Sequence, residues 1–203
     1  MRVNVPLSFG MLHLAPLWGE FMAAYPEIDL DVTLNDRVVD MVDEGYDLAV
    51  RISALPDSSL VCRKLASTEL VACASPGYVD IHGTPRHPSE LASHRVLAYK
   101  YFSGRDEWQF HGPGGKVQVR TNARVYSNNG DTCRAIALRD GGIILHPDFM
   151  IGEDLKEGRL VRLMPEYRSI ELGIYLVYPP RKQLPLKVRC LIDFLLDAFR
   201  EPA

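Results

Sequence analysis

The chain has 203 residues, 47% hydrophobic and 24% charged, the proportions of a globular protein with a real core. A formal net charge of −3 and a pI of about 6.1 exclude a general affinity for phosphate backbones. No apolar run approaches the ~20 residues needed to span a bilayer, and no secretory leader pattern opens the sequence. The length allows one domain or two small ones. Cys62, Cys73, Cys133 and Cys190 are far apart, lie among apolar neighbours and form no Cys-x-x-Cys pair. This predicts reduced, buried thiols in a cytosolic protein, with a long-range disulfide as the alternative.

Arg2 to Val5 reads as a short strand with Val3 and Val5 on one face, stopped by Pro6, which has no N–H for a ladder. Ser8, Phe9 and Gly10 turn the chain into a helix, with Ser8 as its cap. Leu14, Leu17, Trp18, Phe21, Met22 and Tyr25 recur at the spacing of one helix face. Pro16 fits there only in a first turn or at a kink. Ile28 to Asn35 alternates as a half-buried strand. Asp36 then caps a short helix carrying Val38, Met41 and Val42, closed at Gly45, and Leu48 to Ile52 is a third strand. Strands and helices alternating over so short a stretch predict a parallel α/β sheet. Leu60–Leu65 and Glu69–Ala74 are two further apolar segments.

From Ser75 the composition shifts. Pro76, Gly77, Gly83, Pro85 and Pro88 crowd together, the mark of a boundary. Short helical pieces, a strand at Arg95–Tyr99 and a hairpin with a loose turn around Pro113 and Gly114 follow. Asn128 or Asn129 caps a helix running to Asp140, with Asp131 in its first turn and Gly141 at its stop. Gly142–Leu145 is a buried strand broken by His146-Pro147. A helical turn, an edge strand near Leu160–Leu163, a strong strand at Leu172–Tyr178 and an amphipathic helix at Leu186–Phe199 complete the chain.

Catalytic patterns are missing. No Gly-x-Ser-x-Gly occurs, and Ser8 near His13 has no orienting acid. Gly114-Gly115-Lys116 lacks the remainder of a phosphate loop. The six histidines show no metal-ligand spacing, so no metal, cofactor or catalytic residue is expected. What remains is a binding chemistry. The helix starts after Ser8 and at Asn129 follow strands and offer backbone N–H groups to an anion. Arg51 ends a buried strand and could meet a ligand anion, or pair with Asp57 or another carboxylate. Tyr99, Tyr101 and Phe102 could stack on an aromatic ligand or serve packing. His146 could contact ligand at a strand's carboxyl end or hold a structural hydrogen bond.

Pro6-Leu7-Ser8-Phe9-Gly10 with His13-Leu14-Ala15-Pro16-Leu17, and the run from Asp40 to Ile52, resemble a known family. So do Cys73-Ala74-Ser75-Pro76-Gly77-Tyr78, Asn128-Asn129-Gly130, Gly141 to Phe149, and Leu184-Pro185-Leu186-Lys187-Val188. In order and spacing the chain resembles, end to end, the effector-binding domain of LysR-type transcriptional regulators. The resemblance implies an α/β, type 2 periplasmic-binding-protein-like fold, with two Rossmann-like subdomains around a cleft, joined by two crossover strands. Carried onto this chain, subdomain one is residues 2–73 plus 175–203 and subdomain two is residues 74–174. The implied function is sensing a small-molecule effector without catalysis, and the two helix starts with Arg51 favour a small carboxylate over a cation or a neutral sugar. The expected contacts are Ser8, Phe9, Gly10, Arg51 and Ser53 in subdomain one, and Tyr99, Tyr101, Asn128, Asn129, His146 and Pro147 in subdomain two. His146 stands where the family more often has an apolar residue.

The family's winged helix-turn-helix does not precede the first strand here, so DNA contact is expected only through a missing N-terminal domain of a longer protein. The resemblance also implies a cytoplasmic homodimer, tetrameric when full length, with no membrane partner. A solute-binding protein of a transport system, built on the same fold, is the alternative.

Overall fold

The computed structural model describes residues 1–54, 60–102, 104, 106–180 and 182–200; Asp57, the candidate partner of Arg51, lies outside them. The chain opens with β1 (Arg2–Val5), then one continuous helical run made of α1 (Leu7–Phe9), a π-helical stretch (Gly10–Leu14) and α2 (Ala15–Ala24). β2 (Asp31–Leu34), β3 (Leu48–Ser53) and the long β4 (Val61–Ala74) follow, then α3 (Pro76–His82) and a 3-10 turn (Pro88–Ser93). Next come β5 (Val96–Tyr99), β6 (Glu107–Gly112), β7 (Gly115–Arg120), β8 (Ala123–Ser127) and α4 (Gly130–Ala137). β9 (Ile144–Pro147), α5 (Asp148–Lys156), β10 (Val161–Arg162), β11 (Glu171–Tyr178) and α6 (Leu186–Ala198) close the chain.

Two compact units emerge: Met1–Ser67 with Leu172–Ala203, and Thr68–Glu171. The chain passes from the first to the second inside β4 and returns at the start of β11. Both passages fall slightly earlier in the sequence than the boundaries expected at residues 73–74 and 174–175.

In the first unit the strands run β2-β1-β3-β11. β1 is parallel to both β2 and β3, while β11 is antiparallel to β3 and sets Arg51 opposite Tyr175. Val3 and Val5 are fully buried, and so is Asn4 between them, because a central parallel strand is covered on both faces. The helical run keeps the expected face except at Met22, with Leu17, Trp18 and Tyr25 half-buried. Leu14 and Phe21 are fully buried, but Met11, Leu12 and Met22 are exposed. The π-helical stretch Gly10–Leu14 lies ahead of that face, which begins at Leu14. Gly10 lets this run approach the sheet: a Cβ there would stand 2.5 Å from Leu34 Cδ2 and 2.7 Å from Val5 Cγ2.

The short helix expected at Asp36 does not form. The segment is a turn, because Asp40 Oδ1 takes the N–H groups of Val42 at 2.9 Å and Asp43 at 3.0 Å, a local bond that competes with helix. Val39 and Met41 turn inward while Val38 is left 79% exposed, and Gly45 closes the turn at φ +70°. The two apolar segments expected from Leu60 to Ala74 are the single strand β4.

In the second unit β4 pairs antiparallel with both β9 and β10, β5 runs parallel to β8, and β6 pairs with β7. The β6–β7 turn is tight, since Gly112 and Gly115 face each other across Pro113-Gly114. His146 and Pro147 do not break their strand but pair with Val71 and Leu70 of β4. The core gathers Val71, Cys73, Leu97, Cys133, Ala137, Ile144, Ile151 and Leu160. Fully buried Asp154 accepts Arg134 Nη2 at 2.9 Å and Arg159 Nε at 2.8 Å, besides a shorter contact from Arg134 Nε. Burial alone would raise this carboxyl, and the two guanidinium groups outweigh it and hold it below its ordinary value. Cys73 and Cys133 are buried as expected, while Cys62 and Cys190 are only half-buried. Burial pushes the Cys73 thiol up to about 12 and raises Cys133 as well, which leaves both as packing groups without thiolate reactivity.

Candidate functional site

The second unit builds its candidate site from strand ends. β5 and β8 are parallel with Tyr99 opposite Ser127, so their carboxyl ends finish side by side. The chain leaves β8 through exposed Asn128 and half-buried Asn129 and enters α4 at once. Asn129 adopts extended backbone, and its Oδ1 accepts the Thr132 N–H at 2.9 Å and the Thr132 hydroxyl at 3.1 Å. It is a true N-cap. The Asn129 N–H donates to Ser127 Oγ at 3.1 Å, and the Lys100 N–H donates to the Ser127 carbonyl at 2.7 Å, so the loop is tied to both strands. Half-buried Tyr99 stands edge-on to exposed Tyr101, ring centres 5.9 Å apart. These groups make one surface: the start of an eight-residue helix, its amide cap and a pair of aromatic rings. A shallow pocket of about 490 Å³ lies at the other end of α4, lined by Ser75, Pro76, Gly77, Leu138, Arg139, Asp140 and Arg159.

His146 stands behind this surface. It is buried, with Nε2 2.9 Å from the carbonyl of Gly130, the first residue of α4, and Nδ1 2.9 Å from the Leu145 carbonyl. Of the two roles left open for it, the hydrogen-bonded one is the arrangement the structure displays, and Pro147 beside it is half-buried. Burial holds the imidazole below its ordinary range, opposed by the two carbonyls and by Asp131, while Arg134 acts in the same sense as burial.

The first unit places its residues differently. Ser8 is buried inside α1 and is not its cap; Pro6 holds the cap position and makes no side-chain bond. The Leu7 N–H at that helix start donates to Asp36 Oδ1 at 2.8 Å, so an internal carboxylate from another loop already serves it. Replacing Ser8 therefore removes no capping bond. Phe9 is buried and stacks at 5.7 Å on Phe199, and Ser53 ends β3 opposite Gly173. Arg51 is half-buried, with Nη1 donating to Asn4 Oδ1 at 2.6 Å and to the Val50 carbonyl at 3.0 Å. Asn4 carries no motif that would have singled it out; only its place on a strand buried on both faces marks it as unusual. Among the described residues no group of three or more His, Cys, Asp or Glu could hold a metal ion, and no helix is long and apolar enough to cross a membrane.

The His146 geometry predicts a pH effect of definite sign. A buried imidazole held below 6.5 stays neutral while the unfolded chain takes up a proton. Its contribution to stability is complete above that value and is lost as pH falls beneath it. Between about pH 7.5 and about pH 5.5, thermal denaturation of the wild type should lose more melting temperature than His146→Gln does. An identical pH dependence in both proteins would contradict the assignment.

The chain's residues 1–200 match the family model described as the LysR substrate binding domain. An uncharacterized HTH-type transcriptional regulator of Haemophilus influenzae is 37% identical over 188 residues, covering 93% of this chain and 65% of that protein. An HTH-type transcriptional regulator of Xanthomonas campestris is 34% identical, covering 97% of this chain and 58% of its own length. This chain thus spans about three-fifths of the length of these relatives. Among solved structures, the regulatory domain of CrgA, a LysR-type transcriptional regulator from Neisseria meningitidis, superposes with a TM-score of 0.86 at 28% identity, covering 98% of each chain. The regulatory domain of AphB in Vibrio vulnificus gives 0.81 at 30% identity, covering 97% of this chain and 98% of its own. The α/β architecture is accordingly that of these regulatory domains, the type 2 periplasmic-binding-protein-like fold. The chain belongs to the LysR substrate binding domain family.

Proposed function

We propose that this chain is the effector-sensing module of a bacterial LysR-type transcriptional regulator, binding a small carboxylate and catalysing no reaction. The observation that carries the reading is the meeting of two parallel strand ends with the capped start of α4 at Asn129. In open α/β sheets, ligands bind beyond the carboxyl ends of strands, and a helix start favours negative charge. Tyr99 and Tyr101 supply aromatic surface beside it, which suits an aromatic acid. Ser8, Phe9 and Gly10 are proposed as contacts of the first unit taken by itself, at the entry to a π-helical turn of the kind common at functional sites. DNA is contacted by a helix-turn-helix portion of a longer cytoplasmic protein. With its net charge of −3, the present chain does not do so itself.

A thermal-shift screen of metabolites tests this. An effector at ~100 times its dissociation constant raises stability by about 2.7 kcal/mol. Asn129→Ala should lose most of that rise and about 1 kcal/mol of intrinsic stability with the cap. Stabilisation by cations or neutral sugars only, or a full carboxylate response in Asn129→Ala, would contradict the reading.

Homodimerisation is part of the same proposal, with the first helical run of one copy against α4 of another and a tetramer for the longer protein. Met11, Leu12 and Met22 are each more than half exposed on that run, with exposed Ala15 and Gly19 between them. Phe21, expected in that face, is fully buried and takes no part. The wild type should sediment as a dimer at micromolar concentration and the double variant Leu12→Asp, Met22→Asp as a 22.8 kDa species. A wild type of 22.8 kDa alone would count against it.

A further inference from the structure

Asn4 and Arg51 form a pair of buried polar groups whose hydrogen bonding is incomplete in a one-sided way. Arg51 Nη1 donates to Asn4 Oδ1 at 2.6 Å, yet Arg51 Nη2 and Asn4 Nδ2 are both buried and have no acceptor among the described residues. Nη2 shares its carbon with Nη1, and Nδ2 shares its carbon with Oδ1, so the two orphan donors flank one hydrogen bond. Asn4 is fully enclosed on β1, while Arg51 is half-buried on β3, which leaves the pair an approach through the arginine. Their strand neighbours Ala49 and Tyr175 pack with Val39, Met41, Tyr46 and Val177, so the surroundings are apolar.

Among the described residues no carboxylate forms an ion pair with Arg51. Glu44, a charged neighbour, is committed to Arg37 at 2.8 Å. Among the described residues, then, two donors and one positive charge lack an oxygen-bearing anion. A guanidinium half out of water is expensive to leave without one, and an amide donor more so in apolar surroundings.

We propose that Arg51 and Asn4 are a carboxylate-binding subsite of the first unit, each orphan donor taking one oxygen of a singly charged ligand. This deepens the effector reading above and rests on it for the identity of the ligand. Two donors and one charge fit a carboxylate, whereas a phosphate would bring a second charge that the pair does not balance. Asn4 is then a binding residue in its own right, since its amide both orients the guanidinium through Oδ1 and offers Nδ2.

The test uses sodium formate, a carboxylate small enough to reach a buried pair, against sodium chloride at equal ionic strength. The wild type should show saturable stabilisation by formate in thermal denaturation, with saturating shifts of the Asn4 side-chain amide signal in nitrogen-edited NMR. Asn4→Asp supplies the carboxylate from within the chain. It should melt higher than the wild type without formate and weaken the formate response by about tenfold or more. The subsite is refuted if formate and chloride act alike on the wild type, if Asn4→Asp keeps the formate response, or if Asn4→Asp melts lower. A metabolite screen that finds no effector while formate titrates into this pair would remove the effector reading and leave the subsite standing. An effector bound equally by wild type and Asn4→Asp would do the reverse.

Discussion

The start of α4 is the constraint on which the second unit turns. A helix opens with N–H groups that have no partner inside it, and here those groups emerge where two parallel strands end. The chain answers with Asn129 as cap, Ser127 as a tie to the strand end, and His146 against the first carbonyl of the helix. Each bond reaches a different element, so the helix start is fixed in position before any ligand arrives. A preorganised set of donors loses little freedom on binding, which is the condition for recognising a small anion from few contacts.

The two units solve the same local problem in different ways. At the start of the first helical run the N–H of Leu7 is already matched by Asp36, an internal anion. In the sheet of that unit Arg51, half-buried, donates to Asn4 and has no ion pair among the described residues. In the second unit Arg134 and Arg159 share the buried Asp154. Both buried thiols of that unit are raised by their surroundings, so its core is packing and not redox chemistry.

Much of this was legible in the sequence. The Asn129 cap, the strand before it and the order of elements follow from residues whose local chemistry agrees with the fold. The face of the first helical run was legible from Leu14 onward, whereas the π-helical stretch Gly10–Leu14 ahead of it was not, since it leaves no compositional trace. Ser8 looked like a cap since Ser favours that position, but Pro6 fixes the entry and Asp36 reaches across from a loop distant in the chain. Asp36 in turn looked like a helix cap for its own segment, and Asp40 diverted that segment into a turn. Asn4 was invisible for the opposite reason: a lone asparagine between two valines reads as the exposed side of a strand. Only a sheet covered on both faces makes it buried.

On the proposed reading a small carboxylate is recognised at the α4 start. Backbone amide titration of the isotopically labelled chain, using a carboxylate that raises its melting temperature, tests this most directly. The largest saturable shifts should fall on the amides of Gly130 and Asp131, with Tyr99 following at the same dissociation constant. Stabilisation by that ligand with these amides unmoved would contradict it.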